Sequence, residues 1–345
     1  MRSSLEEKST VINKISTKGK MSNESFITLS MFVVLIVMIG LASIFVNNFF
    51  QIQNIINLVT NFWYLIVLGI GATYLLITGN FELSIGGTVA MTGVLSVYFC
   101  QAANVSQSEL ANGLGLPYGV AVALALLAAL AIGAINALFV TKLKVASIVV
   151  TLGTMSLSRG IAKIVTLGAQ RNTNLPDVFG AVGNIFVIGS LKLMIFIMLF
   201  IVIVAVVLEK KTVFGRRTYL IGANIKAAKL SGVKVEQHIT ILYLVSAFLA
   251  GVVGIILASE YISGTSSRVM GVEFDALVIT LLGGTAIAGG FGSVIGTVIG
   301  ALILAVIASS STGLLLRPEW QFILKSLIVF IAIMAQRFAL LKRKL

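Results

Sequence analysis

Residues 239–259 read ITILYLVSAFLAGVVGIILAS, 21 residues without one charge. A bilayer's hydrocarbon core, roughly 30 Å thick, is crossed by about 20 apolar residues in helical form, so this stretch predicts a membrane-spanning helix. Nine further segments read the same way: 27–46, 62–78, 83–99, 118–140, 145–166, 193–208, 276–288, 293–308 and 320–336. The pair at 276–288 and 293–308 is short and interrupted by glycine. The fold class expected is all-α: a polytopic membrane protein of about ten transmembrane helices, some short or broken.

The whole chain agrees. Of its 345 residues, 58% are apolar and only 11% charged, against about 45–50% and 25% in soluble domains. That leaves too little polar surface to clothe a water-facing domain. The 33 glycines follow no collagen period and there are only three prolines, which excludes fibrous and low-complexity classes. One cysteine, Cys100, and one histidine, His238, argue against a disulfide framework and a metal or haem centre.

The net charge of +13 is an orientation signal, not a nucleic-acid one. Eighteen of the 25 Lys and Arg residues fall in the N-terminal tail, at Lys142 and Lys144, between Lys210 and Lys234, and from Arg337 onward. The connections on the other side hold only Arg171, Lys192, Arg268 and Arg317. Positive charge marks cytoplasmic loops, so ten crossings place both termini in the cytoplasm. The organisation expected is a cytoplasmic tail over 1–26, one transmembrane domain over 27–336, and a cytoplasmic tail over 337–345. A polar stretch over 209–238 interrupts the domain. It is far longer than a helix–helix connection requires, and its helix formers at 223–230, followed by Ser231–Gly232, predict a short surface helix with a stop signal.

No phosphate-binding loop, zinc-protease pair or nucleophile elbow occurs, so catalytic residues, bound cofactors and metals are not expected on this chain. The interruption GNFELSIGG at 79–87 is the most informative polar element. A glutamate between apolar spans must face water, protein or a cavity. Either Asn80 or Ser84 caps the helix that follows, with Glu82 favoured by its dipole, or Asn80, Glu82 and Ser84 contact a transport path or gate. Arg159 and Lys163 share a helix face and either snorkel to headgroups or line a polar route. Gly292, Gly296 and Gly300 recur every fourth residue, a close-packing face. Gly283, Gly284, Thr285, Gly289 and Gly290 supply broken backbone that either packs or lines a gate. Glu273 and Asp275 either start a helix or help dock an extracytoplasmic partner. Trp63 and Tyr64 suit an interfacial belt better than a sugar platform.

From about residue 54 to 336 the chain resembles the permease subunits of ATP-binding-cassette sugar importers of the ribose, xylose and galactoside type. The resemblance is carried by GNFELSIGG (79–87), VTLGTMSLSRG (150–160), GRRTYLIGANIKAAKLSGVKV (215–235) and GVEFDALVITLLGGTAIAGGFGSVIGTVIGALI (271–303). It implies a bacterial inner-membrane subunit that pairs with a second permease copy or paralogue. Two cytoplasmic ATPase subunits would hold ATP and magnesium, and an extracytoplasmic sugar-binding protein would deliver the solute. The family segment IGxNxxAAxxSG, which contacts the ATPase, falls here on Ile221, Gly222, Asn224, Ala227, Ala228, Ser231 and Gly232. The chain departs from the family's usual GGIDLSVGS at Asn80, Phe81 and Glu82. It lacks the prolines usual before VTLG, and it has Phe291 where a basic residue often stands. Alternatives in view are a permease for nucleosides or branched-chain amino acids and an ion-coupled carrier, the latter expecting ionisable groups near mid-membrane.

Overall fold

The computed structural model describes residues 23–103, 108–317 and scattered positions between 319 and 334. The helices in chain order are α1 (Asn23–Phe45), α2 (Ile52–Ile77), α3 (Ile85–Cys100), α4 (Tyr118–Ala137) and α5 (Ser147–Thr166). A single π turn, Leu138–Lys142, extends α4. Then come α6 (Asp177–Asn184), α7 (Leu193–Lys211), α8 (Val213–Ala223), α9 (Ile225–Leu230), α10 (Val235–Glu260), α11 (Val272–Leu282) and α12 (Val294–Gly313). Two small antiparallel pairings accompany them. Strand β1 (Gln170–Arg171) pairs with β4 (Gly264–Thr265), and β2 (Phe186–Ile188) pairs with β3 (Leu191–Lys192).

Seven of these helices are long and apolar enough to cross a membrane. The expected span at 83–99 is the 16-residue α3, and the one at 276–288 is reduced to the 11-residue α11. The expected span at 320–336 and the tail 337–345 lie largely or wholly outside the described residues. So does the tail 1–26, apart from residues 23–26, which are already helical. The second span begins earlier than hydropathy suggests, at Ile52 rather than residue 62. Its first ten residues include Asn54, Asn57 and Asn61, which depress hydropathy without breaking backbone hydrogen bonding.

Helix α10 is the central post. Its apolar window is 72% buried, against 17% for the corresponding window of α1 and 22% for that of α7. It packs on α2, α3 and α4, and a Cβ at its Gly254 would run into the carbonyl of Val89 in α3. Such small-residue contacts let helices approach where lipid supplies no hydrophobic drive. The expected glycine face is half right: Gly296 and Gly300 meet the carbonyls of Gly283 and Ile279 beneath α11, but Gly292 precedes the helix.

The connections gather at two ends. At the basic end, Lys144 and Lys229 both pair with Glu236, at 3.2 and 2.9 Å, near the breaks at 78–84 and 283–293. At the opposite end β1 meets β4, Lys192 pairs with Glu260 at 2.9 Å, and Val46 abuts Gly313. Arg171 is buried there. It donates to Gln101 Oε1 and Asn112 O, both at 2.8 Å, and stacks over Tyr98. Burial draws its guanidinium below the ordinary arginine value.

Candidate functional site

Three pieces of broken backbone meet at the basic end. Helix α2 ends at Ile77, and Gly290 donates its amide to the Ile77 carbonyl at 2.7 Å. Gly289 and Gly290 have φ of 81° and 76°, a conformation glycine adopts without steric cost. Helix α8 ends on both: a Cβ at Gly222 would collide with the Ile77 carbonyl and reach 2.5 Å from the Gly290 nitrogen. No side chain intervenes at this crossing. Helix α8 is therefore in direct backbone contact with the end of α2 and with the 283–293 connection.

The surface helix expected over 223–230 is α9, Ile225–Leu230, and a further helix, α8, precedes it. Helix α8 stops at Ala223, and Asn224 starts α9 by accepting the Ala227 amide on Oδ1 at 3.1 Å, as an N-cap does. Ile221 and Ala228 are fully buried and anchor the pair. Ser231 and Gly232 terminate α9, the latter at φ 79°. Leu230 is left 91% exposed, an apolar side chain pointing away from the bundle.

Glu209, in the last turn of α7, ties this junction to α12. Its Oε2 accepts the Val294 amide at 2.8 Å, and its Oε1 lies 2.9 Å from the Tyr219 hydroxyl. That hydroxyl is also 2.6 Å from the carbonyl of Gly292. Sequence reasoning missed both residues. Beside Lys210 and Lys211, Glu209 reads as a solvated span boundary, yet it is only 4% exposed.

Glu82 sits in a closed polar knot. Its Oε1 accepts from the amide and the hydroxyl of Ser84 at 2.7 and 2.6 Å. Asn136 donates to Ser84 Oγ at 2.9 Å and to Glu82 Oε2 at 3.3 Å, and accepts from Thr154 at 2.7 Å. The start of α3 is thus bolted to α4 and α5. The expectation that Asn80 or Ser84 caps α3 fails: Ser84 makes no side-chain cap bond, and Asn80 donates back to Thr78 Oγ1 at 3.0 Å. A carboxylate three residues before the helix outcompetes the helix amides for the hydroxyl. Tyr243 donates to the Phe81 carbonyl at 3.1 Å and lies about 12 Å along α10, so the knot lies within the bundle.

Arg159 does not snorkel. Its Nη2 is 3.4 Å from Glu273 Oε2 and its Nη1 donates to Ser266 O at 3.3 Å. The two side chains are only 14% and 5% exposed. Gly86 lies beside them, with no space for a Cβ. Lys163 is exposed, as snorkelling requires. Glu273 therefore faces inward, while Asp275 beside it is half-buried. Gly283, Gly284 and Thr285 are buried, and Thr285 Oγ1 has no hydrogen-bond partner among the described residues. Trp63 is fully buried, which removes it from an interfacial belt.

Residues 54–334 match the family model described as the branched-chain amino acid transport system / permease component. The chain belongs to this permease family. It is 31% identical to the ribose import permease of Haemophilus influenzae over 310 residues, covering 89% of this chain and 92% of that one. The ribose import permease of Escherichia coli K12 is 32% identical over 88% of this chain and 91% of its own. The galactose/methyl galactoside import permease of the same strain is 29% identical over 91% and 96%. No solved structure matches the chain. The permease is accordingly a multi-pass protein of the inner membrane.

Within this permease the sequence-selected residues fall into three groups. Gly222, Gly289 and Gly290 meet in the backbone junction. Asn80, Glu82 and Ser84 gather around the first break, where Asn136 and Thr154 join unforeseen. Arg159 and Glu273 pair deeper in the bundle. Asn136 is the one carboxamide in the apolar α4, and its signal was the cost of leaving such a group unpaired there. Thr154 is one of several hydroxyl residues of α5 and carried no such signal.

Proposed function

We propose that this permease is the membrane-spanning subunit of an ATP-binding-cassette importer for a monosaccharide, a pentose or hexose. It moves the solute by alternating access and draws energy from ATP and magnesium held on separate ATPase subunits. The relatives it covers almost end to end are ribose and galactoside import permeases, and they support the solute class. The observation that carries the mechanism is the seating of Gly222 against Ile77 and Gly290. ATPase subunits docked on α8 and α9 would push this junction, and the breaks at 78–84 and 283–293 would transmit the push to α3 and α12. A ligand shifts a two-state element only through differential binding, here ATP acting through the partner.

On this reading the basic end is cytoplasmic, ten spans bring both termini there, and Ile221, Asn224, Ala227, Ala228, Ser231 and Gly232 shape the docking element. Arg159 and the 79–87 and 283–290 segments form the gate. A second permease subunit completes the path, and an extracytoplasmic sugar-binding protein docks at the opposite end, where Asp275 is better placed for contact than the inward-facing Glu273. A second reading, a branched-chain amino acid permease, is favoured by the description of the family model. Purification of the tagged full chain in mild detergent tests both. Co-purification of an ATPase and a binding protein that takes up a monosaccharide is the expected result. A binding protein selective for leucine would move the assignment to the second reading, and uptake driven by an ion gradient without any ATPase would sink both.

A further inference from the structure

We propose that a carboxamide-lined cleft at the end opposite the coupling element is a solute-holding site for an uncharged polyhydroxylated molecule. The inference rests on the permease reading above and names the outer waiting position of its solute. The cleft lies between the polar first half of α2 and the last turn of α12, with a volume of about 470 Å³, ample for one monosaccharide. Asn48, Gln51, Asn57 and Asn61 line one side and Ser309 and Thr312 the other. No Asp, Glu, Lys, Arg or His lines it among the described residues.

Three observations carry this beyond a surface depression. First, Asn57 and Asn61 are exposed on a helix that crosses the membrane. Asn61 stands nine residues inside α2, about 14 Å from its end. A helix of 26 residues overshoots a core of about 30 Å, which puts Asn61 near the outer boundary, where an exposed carboxamide favours water or a polar molecule over lipid.

Second, the face is held open rather than satisfied internally. Asn54 is engaged, donating to Phe49 O at 2.8 Å and accepting from Ser309 at 3.2 Å, and so fixes α2 against α12. By contrast, no hydrogen bond within the described residues engages the side chains of Asn48, Gln51 or Asn61. Each offers an acceptor and two donors, the pairing that vicinal hydroxyls need.

Third, Phe62 forms part of the lining, an apolar face among the amides that suits the C–H face of a sugar ring. The absence of charge sets the chemical class: a carboxylate or ammonium solute would find no counter-ion here. It also keeps binding weak, as a site that must release its solute onward requires.

Cysteine labelling in right-side-out vesicles tests the cleft. The native Cys100 is buried, so Asn57→Cys, Asn61→Cys and Ile188→Cys, at the exposed end of β2, each report one site. All three should react with a membrane-impermeant maleimide. D-ribose or methyl β-galactoside should slow Asn57→Cys and Asn61→Cys by about threefold when present at about twice its dissociation constant. Leucine should not, and Ile188→Cys should be unaffected by any of them. Failure of both cleft variants to label, equal slowing at Ile188→Cys, slowing by leucine, or no slowing by either sugar would each overturn the proposal. Uptake by the unaltered chain with its ATPase is measured alongside. Uptake without protection would sink the cleft and leave the permease reading standing; protection without uptake would do the reverse.

Discussion

The amide of Gly290 donates to the carbonyl of Ile77 at 2.7 Å, joining the end of α2 to a connection more than two hundred residues later in the chain. Gly222 closes over this bond so tightly that a methyl group does not fit. The segment expected to meet the ATPase is therefore in backbone contact with both breaks in the bundle. Coupling needs no long relay.

Gly222→Val should wedge this junction apart. Overpacking costs about 1–3 kcal/mol, and we expect uptake in vesicles to fall by about tenfold or more if that cost falls on the transporting conformation. Gly168→Ala, outside the docking element, is the control: its φ of 78° strains the backbone but nothing lies within 4 Å. It should cost about 1 kcal/mol of stability and leave uptake largely intact. Equal loss in both variants would show that the contact at Gly222 is not what matters.

Asn136→Ala removes the centre of the Glu82 knot. Glu82 Oε2 loses its donor, and Thr154 loses its shortest acceptor while keeping the Val150 and Thr151 carbonyls at 3.2 and 3.3 Å. Buried unpaired groups of this kind cost about 1–3 kcal/mol, so the unfolding midpoint of the detergent-purified protein should drop. An unchanged midpoint would mean that water replaces the amide and that the knot is not closed.

Arg159→Met and Glu273→Leu each leave a buried charge without its partner. Each single variant should be destabilised by about 3–5 kcal/mol, and the double variant by much less. A double-mutant cycle on thermal stability measures this. Additive losses would dissolve the pair as an energetic unit.

Glu209→Ala orphans the Val294 amide at the start of α12 and removes one of two acceptors beside the Tyr219 hydroxyl, which keeps the Gly292 carbonyl. Tyr219→Phe keeps the first bond and loses only the second, along with the contact to Gly292. We expect the first to lower stability by about 1–3 kcal/mol and the second by about 1 kcal/mol, measured as before. The reverse order would place the weight on Tyr219 and Gly292.

Much of the bundle was legible because hydrocarbon imposes a length and a composition. Stretches such as 239–259 declare themselves. Helix α2 was cut short in the reading because Asn54, Asn57 and Asn61 lower hydropathy while leaving helical geometry untouched. The site was legible only in part. Glu82 stood out as a charge among apolar residues, and the glycines at 283–292 as a break. Thr154, Glu209 and Tyr219 did not, since each is unremarkable among its neighbours in the chain, and the lone carboxamide of Asn136 named no partner.

The sequence by itself determined that this is a helical membrane permease and where its backbone breaks. These follow from local properties: apolar length and residues that permit unusual backbone. Only the tertiary structure decided that Gly222 rests on Ile77 and Gly290, that Arg159 turns inward to Glu273, and that Ser84 serves Glu82 instead of capping α3. Each depends on which distant groups share a desolvated space, where a polar atom must take whatever partner the packing brings within about 3 Å.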